Sequence, residues 1–314
     1  DQGQEEIAGY TDLEKGVFED VPAIIFGDHT RVIKYVRDPF FLGADGVKIL
    51  KCKELNANYK YLYYALKNAK IPNTGYNRHF KWLKQIQIEC PSIDKQEKIV
   101  KILDKVVMVI EDRRKEIQEL DKLIKARFIE LFGTYPGNEK GWNTGNIRDV
   151  VSEVRYGSSR PAVDGGRYPY LRMNNITYGG ELDLSDTKRI DIPDSELAKC
   201  TVRHGDVLFN RTNSKELVGK TCVYNRDEMM VLAGFVIRVR VNEKVLPEFL
   251  SAFLNTDFSK KMLLGMCKTA IGQANINAQE LQNIGLYVPP IDLQQEFVDF
   301  KKQVDKSKII TQRI

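Results

Sequence analysis

The stretch IDKQEKIVKILDKVVMVIEDRRKEIQELDKLIKARFIELF, residues 93–132, decides the fold. Leu103, Val106, Ile110, Ile117, Leu120, Ile124 and Leu131 recur in it at alternating steps of three and four, which places them in one stripe of a long helix. Arg113 and Arg127 occupy two further positions of that stripe. Pro91 precedes the helix, Asp94 is placed to cap its start, and Gly133, Pro136 and Gly137 stop it. The outer faces carry 10 basic against 9 acidic residues over 94–131, so they read as solvated and ion-paired rather than as nucleic-acid-binding. At ~1.5 Å per residue such a helix is roughly 57 Å long, the length of a spacer. Its stripe predicts a helical partner, and the two arginines are expected to fix register against carboxylates on that partner.

Outward from this helix the chain repeats itself. IQIECPSIDKQEKIVKI (86–102) aligns with IGLYVPPIDLQQEFVDF (284–300): Ile86 with Ile284, Pro91 with Pro289, Ile93 with Ile291, Asp94 with Asp292, Gln96 with Gln294 and Val100 with Val298. Upstream, VKILKCKELNANYKYLYYALKN (47–68) parallels VIRVRVNEKVLPEFLSAFLNT (236–256), each an alternating strand pattern, a polar turn and a short amphipathic helix. The plan is therefore a tandem: globular unit, short strand ending in proline, long helix. The second unit, 142–290, is rich in strand and turn patterns (YPYLRMNNI, GDVLFNRTN, KTCVYN, MMVLAGFVIRVRV) and is expected to be mostly β. The first has too little sequence ahead of 28 to match 142–206, so its front is expected to be missing or compressed, and the last helix, 293–314, is shorter than the first.

A chain of 314 residues has room for two compact domains. No run approaches the ~20 apolar residues of a membrane span, and the opening DQGQEEIAGY is no signal peptide, so a soluble cytoplasmic protein is expected. Five cysteines, odd in number and never spaced C-x-x-C, suggest reduced thiols and neither a disulfide framework nor a zinc site. The net charge of +5 is concentrated: residues 28–90 hold 12 Lys and Arg against 5 Asp and Glu. Such an excess suits neutralisation of phosphates, although a solvated lysine-rich face explains it equally well. Catalytic readings find little support. VGKT (218–221) lacks the first glycine of a phosphate loop, and the three histidines His29, His79 and His204 lie far apart. Asp191, Asp194 and Glu196 with Lys199 read as a turn and a helix start.

AIIFGDHTRVIKYVRDPFFLGADGVKIL (23–50) resembles the back half of a target recognition domain of a type I restriction-modification specificity subunit, and GYNRHFKWLKQIQIECPSIDKQEKIVKIL (75–103) resembles that domain's exit into its spacer helix. GWNTGNIRDVVSEVRYGSSRP, PYLRMNNI, HGDVLFNRTNSKELVGKTCVY and GQANINAQELQNIGLYVPPIDLQQE resemble successive pieces of a complete second domain. The resemblance implies an α+β chain of two mostly-β recognition domains with small helices, separated by long coiled-coil-forming helices. It divides the chain into 1–92 (first domain, incomplete), 93–134 (spacer helix), 135–292 (second domain) and 293–314 (start of a second helix). It further implies a non-catalytic subunit that reads a bipartite site in double-stranded DNA. Modification and restriction subunits would bind it and carry S-adenosylmethionine, ATP and Mg, with no metal or cofactor on this chain. The acidic-Pro-Pro-aromatic motif of the adenine methyltransferases in these systems is absent from the sequence.

Base-edge contacts favour Arg, Asn and Gln, whereas Lys, Ser, Thr and backbone amides hold phosphates. On that chemistry the candidate DNA contacts are His29, Thr30, Arg31 and Lys34 from GDHTRVIK, and Tyr76, Asn77, Arg78, His79 and Lys81 from GYNRHFKW. The second domain offers Ser158, Ser159 and Arg160, then Arg172, Asn174, Asn175 and Tyr178, then Arg211, Thr212, Asn213, Ser214, Lys215 and Lys220, and finally Gln273 and Asn275. Arg78 and Arg211, in polar loops, are the leading pair. Turn geometry accounts for Asn77 and Asn275 as well as DNA contact does, His29 is as well read as a satisfied turn residue, and Phe80 and Trp82 read as core. Two other classes of function stay open on residues alone: a helical assembly scaffold, and a fused restriction-modification enzyme, which would need catalytic motifs that are not present.

Overall fold

The computed structural model describes residues 1–5, 7–43, 45–54, 56–270 and 273–312, apart from the side chains of residues 268–270, 273 and 312. Two compact units are present, Asp1–Asp112 and Arg113–Ile314. In unit 1, β1 (Ala23–Gly27), β2 (Ile33–Val36) and β3 (Val47–Leu50) form an antiparallel sheet in the order β2-β1-β3. Strand β1, AIIFG, is buried along its whole length because it is the central strand and is covered by α1 (Tyr59–Asn68) and α2 (Phe80–Leu83) through Leu66, Leu83, Leu62 and Phe80. Asn58 caps α1 by accepting the Tyr61 amide. This is the N-terminal device expected of Asn before an apolar run.

Helix α3 spans Ile93–Phe132, as its stripe predicts. Asp94 does not cap it: the Lys95 and Gln96 amides bond to Ser92 O, and Asp94 lies inside the first turn, where its charge favours the positive end of the helix dipole. Gly133 ends α3 at φ +79°, with its amide on Ile129 O at 2.7 Å. That left-handed conformation is the reason glycine follows the last turn.

Unit 2 adds β4 (Asn143–Asn146), β5 (Val151–Tyr156), β6 (Tyr168–Leu171), β7 (Lys188–Ile190), α4 (Asp194–Cys200), β8 (Thr201–Val202), β9 (Val207–Asn210) and β10 (Thr212–Asn213). After these come β11 (Thr221–Val223), β12 (Met230–Leu232), β13 (Val236–Val241), α5 (Pro247–Asn255), α6 (Asp257–Met266), β14 (Lys268–Ala270), β15 (Gln273–Asn275), α7 (Ala278–Gln282), β16 (Gly285–Val288) and α8 (Ile291–Gln312). The antiparallel sheet β11-β9-β13-β5 packs on α5 and on an aromatic core of Phe128, Phe132, Phe249, Phe253, Tyr287 and Phe297. A second sheet, β7-β6-β12-β8, is parallel only between β12 and β6. Helix α8 lies antiparallel to the second half of α3, with Phe128 against Phe297 and Lys308 against Asp121. Arg127 meets Glu296 of α8, the carboxylate on a partner helix that its seam position predicts. Arg113 instead pairs within its own helix, with Glu116.

The repeat read in the sequence is a repeat of hydrogen bonds. Gln96 Nε2 donates to Pro91 O and Gln294 Nε2 to Pro289 O, both at 2.8 Å, so each buried glutamine ties the start of its long helix to the proline before it. At the end of each central strand the same ladder recurs. Gly27 N–H binds Val32 O as Asn210 N–H binds Lys220 O, and Asp28 N–H binds Gly46 O as Arg211 N–H binds Phe235 O. Strands β2-β1-β3 thus correspond to β11-β9-β13, and Asp28 and Gly46 occupy the places of Arg211 and Phe235.

Candidate nucleic-acid interface

In unit 2 the sheet register decides which loops meet. Tyr156 pairs with Ile237, Asn210 with Val236 and Thr221 with Phe209, so β5 and β9 end, and β11 and β13 begin, at one edge. From that edge project 157–160, 211–220 and 233–235. Thr212 pairs with Asn275 and the Ile276 amide binds Arg211 O, which brings in β15, while Lys220 Nζ on Met173 O ties in 172–175. YGSSRP, LRMNNI, FNRTNSKELVGK and ANIN, scattered over more than a hundred residues, therefore share one surface. Gly157 permits a close approach of backbones, since a Cβ there would lie 2.1 Å from Leu232 O.

Arg211 is the distinctive group. Its guanidinium carbon stands 4.8 Å from the Tyr156 ring centroid, and its buried Nε has no hydrogen-bond partner. Among the described residues it forms no ion pair. Tyr156 is itself held, its hydroxyl accepting the Ala278 amide at 2.8 Å. A stacked, uncompensated guanidinium is prepared to give a planar pair of donors to an acceptor edge such as guanine O6 and N7. Phe235, whose carbonyl receives the Arg211 amide, is 55 % exposed. Neither Tyr156 nor Phe235 follows from composition; the signal for both is an aromatic next to a glycine at a strand end, in YGSS and AGF.

The other unit 2 candidates divide. Ser159, Asn174, Tyr178, Lys215 and Asn275 are exposed, and Asn213 and Ser214 half-buried. Arg160 is held by both oxygens of Glu196, and Arg172 by Asp186, so either would have to exchange a carboxylate for a phosphate. Ser158, Asn175, Thr212 and Lys220 are buried and drop out as direct contacts: Asn175 accepts the Arg172 amide and donates to Asp183 O and Asp186 O, and the Lys220 ammonium is spent on Met173 O. They brace loops. The Gln273 backbone lies in β15, but its side chain is outside the described residues. Lys260 donates to Gly219 O at 2.6 Å, and burial, with Lys125 and Lys220 nearby, lowers its pKa to about 8.

In unit 1, GDHTR and GYNRHFKW also meet. His79 is 0 % exposed, with its amide and Nδ1 both on Asp28 O, and the Phe80 amide binds Asp28 Oδ1 at 2.7 Å. His79 therefore locks two loops together and is not available as a DNA contact. His29 stacks on Tyr76, ring centroids 4.9 Å apart, and Tyr76, 90 % exposed, carries the stack to the surface. Asn77, Arg78 and Lys81 are exposed beside it. Thr30 binds Gln2 O. Arg31 and Lys34 line a different cleft, of about 840 Å³, against β2, α1 and the first half of α3; Arg31 is spent on Ile71 O, and buried Lys34 on Asp1 and Glu5 O.

Among the described residues no group of three or more His, Cys, Asp or Glu is placed to hold a metal, and no helix is long and apolar enough to cross a membrane. The family model of the type I restriction modification DNA specificity domain matches residues 14–122 and 139–314. The chain belongs to this family. Its two matched stretches are the two members of the tandem. Similar specificity-domain proteins include the type I restriction enzyme EcoKI specificity subunit of Escherichia coli (strain K12), 23 % identical over 229 residues, 68 % of this chain and 49 % of that protein. Another is the putative type I restriction enzyme MjaX specificity subunit of Methanocaldococcus jannaschii, 26 % identical over 168 residues, 52 % of this chain and 39 % of that protein. The chain spans half the length, or less, of these curated relatives. The fold is shared with the crystal structure of a type I restriction-modification S subunit from M. genitalium, at TM-score 0.52 and 14 % identity over 98 % of this chain and 81 % of that one. It is also shared with a chain from a structural study of complex assembly and conformational transition in the type I R-M system, at TM-score 0.54 and 17 % identity over 95 % and 77 %.

Proposed function

We propose that this chain is the DNA-reading specificity component of a type I restriction-modification assembly. It binds a bipartite duplex site, residues 1–92 and 135–292 each contributing to recognition, while bound modification and restriction subunits supply S-adenosylmethionine, ATP and Mg chemistry. Residues 93–134 and 293–314 carry those partners, and the role places the chain in the cytoplasm.

The observation that carries this reading is Arg211, stacked on Tyr156 with no counter-ion among the described residues, where four strand ends deliver the polar loops to one surface. Selection works by differential binding. Lys215, Ser159 and loop amides position the backbone, Arg211 pairs with a purine edge, Asn213 and Asn275 suit adenine, and Phe235 packs on a base face or a thymine methyl. In unit 1 the His29–Tyr76 stack and Asn77 form the base-contact set, beside Arg78 and Lys81, which meet the backbone.

Selection of duplexes from a random library, followed by titration of wild type and Arg211→Ala, tests the reading. Loss of the guanidinium should cut the cognate-to-random affinity ratio about tenfold or more, the worth of one bidentate base contact. An equal fall in both affinities, or a library that yields no preferred sequence, would refute it.

A further inference from the structure

The edge of the unit 1 sheet carries Asp28 and Gly46 where unit 2 carries Arg211 and Phe235, and its surface chemistry differs accordingly. A pocket of about 480 Å³ opens there, walled by Lys48, Arg78, Lys81, Lys84, Phe80 and Asp28. Lys48 Nζ and Lys84 Nζ stand 5.6 and 4.9 Å from the Phe80 ring centroid, and Lys81 Nζ 4.1 Å from that of Trp82. Aromatic rings, not carboxylates, hold these ammonium groups. Among the described residues none of the four cations forms an ion pair, whereas Lys60 pairs with Asp104, Arg160 with Glu196 and Arg172 with Asp186. Asp28 supplies the wall's one negative charge, and one of its oxygens already accepts the Phe80 amide.

We infer that Lys48, Arg78, Lys81 and Lys84 form a site for the nucleic-acid phosphate backbone, gripping it without regard to sequence. The inference rests on the DNA-binding role proposed above and deepens it. Four like charges gathered around a single carboxylate repel one another, and an extended polyanion relieves that repulsion while releasing its own condensed cations. The cations are spread over β3, the loop before α2, α2 and the residue that caps its C-terminal end, a spread that suits successive phosphodiesters better than one carboxylate. Phe80 gives an apolar floor for a sugar. The site adjoins the His29–Tyr76 stack through Asp28 and occupies the sheet edge equivalent to the Arg211 surface of unit 2.

The test is the salt dependence of affinity for a short random duplex, measured on the full chain and on Lys48→Gln/Lys81→Gln/Lys84→Gln. Three lost phosphate contacts should make the slope of log affinity against log salt shallower by about 2 to 3 and weaken low-salt binding about 10- to 100-fold. The ratio of selected to random sequence should stay within about twofold, since phosphate contacts carry no base information. The triple Lys→Arg variant should keep the wild-type slope. An unchanged slope in a Gln variant that melts like wild type overturns the site. Phosphatidylglycerol vesicles that displace the duplex as well as DNA does, phosphate for phosphate, overturn its assignment to nucleic acid. A reduced slope in a protein that prefers no sequence leaves the site standing and refutes the reading role; a retained preference with an unchanged slope does the reverse.

Discussion

Units 1 and 2 share a central strand, its two antiparallel neighbours, the helix after them and the glutamine that ties the next helix to a proline, yet they present opposite chemistry at the same sheet edge. Unit 2 follows its central strand with Arg211, which takes Phe235 O for its amide and Tyr156 for its guanidinium. Unit 1 follows the equivalent strand with Asp28, almost fully buried, whose carboxylate and carbonyl are used by Phe80 and His79. Main-chain hydrogen bonds do not depend on the side chain that carries them, so one frame tolerates either residue. Loops grafted on a fixed frame are where recognition can change without loss of the fold.

Unit 2 is also braced by a charge network around β13. Arg238, 1 % exposed, bonds to Glu153 and to Thr201 O, and Arg240 bridges Glu153 and Asp206. Glu153→Ala should give the largest effect, a loss of about 3 kcal/mol in urea unfolding, because it strands a buried guanidinium. Burial alone would raise the Glu153 carboxyl, but Arg238, Arg155 and Arg240 outweigh it and hold the group below its usual range. A depressed folded pKa contributes stability that is present above the unfolded value of about 4.3 and is lost as pH falls through the folded one. Unit 2 should therefore weaken below that value, and Glu153→Ala should flatten the acid limb.

The glutamine pair sharpens the comparison. The Gln294 side chain bonds to the Leu246 amide, Lys244 O and Pro289 O, whereas among the described residues the Gln96 side chain bonds only to Pro91 O. Gln294→Ala should cost about 2 to 3 kcal/mol and Gln96→Ala about 1, read from separate denaturation midpoints. Equal costs would mean that the two joints are equivalent after all. Exchanging the edge residues acts on function: Phe235→Gly, which makes unit 2 resemble unit 1, should weaken duplex binding about fivefold to tenfold by loss of a stacking face, seen as a changed anisotropy midpoint with an unaltered melt.

The smallest effect concerns Lys260. Its folded pKa, about 8, lies below its unfolded value, so the unfolded chain binds more protons between about 8 and about 10.4 and stability should rise across that window. Lys260→Met should abolish the rise. Duplex affinity should fall over the same window if this ammonium faces phosphate, and an affinity independent of pH would remove Lys260 from the interface.

Much of this was legible without coordinates. Alternation of three and four marks α3, the shared Pro-x-Ile-Asp-x-Gln string marks both helix starts, and the seam position of Arg127 anticipates Glu296. Side-chain fate was less legible. His79, Lys34, Ser158, Asn175, Thr212 and Lys220 are the polar residues that DNA contacts would use, but burial commits each to bracing. Arg238 sits in an alternating strand on the face where solvent would be expected and is covered there by the second sheet.

The tandem plan, the long helix and the strand-turn alternation are written in the chain, because periodicity and turn chemistry are local and each residue's neighbours suffice to express them. Folding in three dimensions was needed for four strand ends to meet at one edge, for Arg211 to stack on Tyr156 with no counter-ion among the described residues, and for four cations to line one pocket with Phe80. These depend on register and crossover between segments distant in the chain, and that pairing is settled by the packing of the whole core rather than by any stretch that takes part in it.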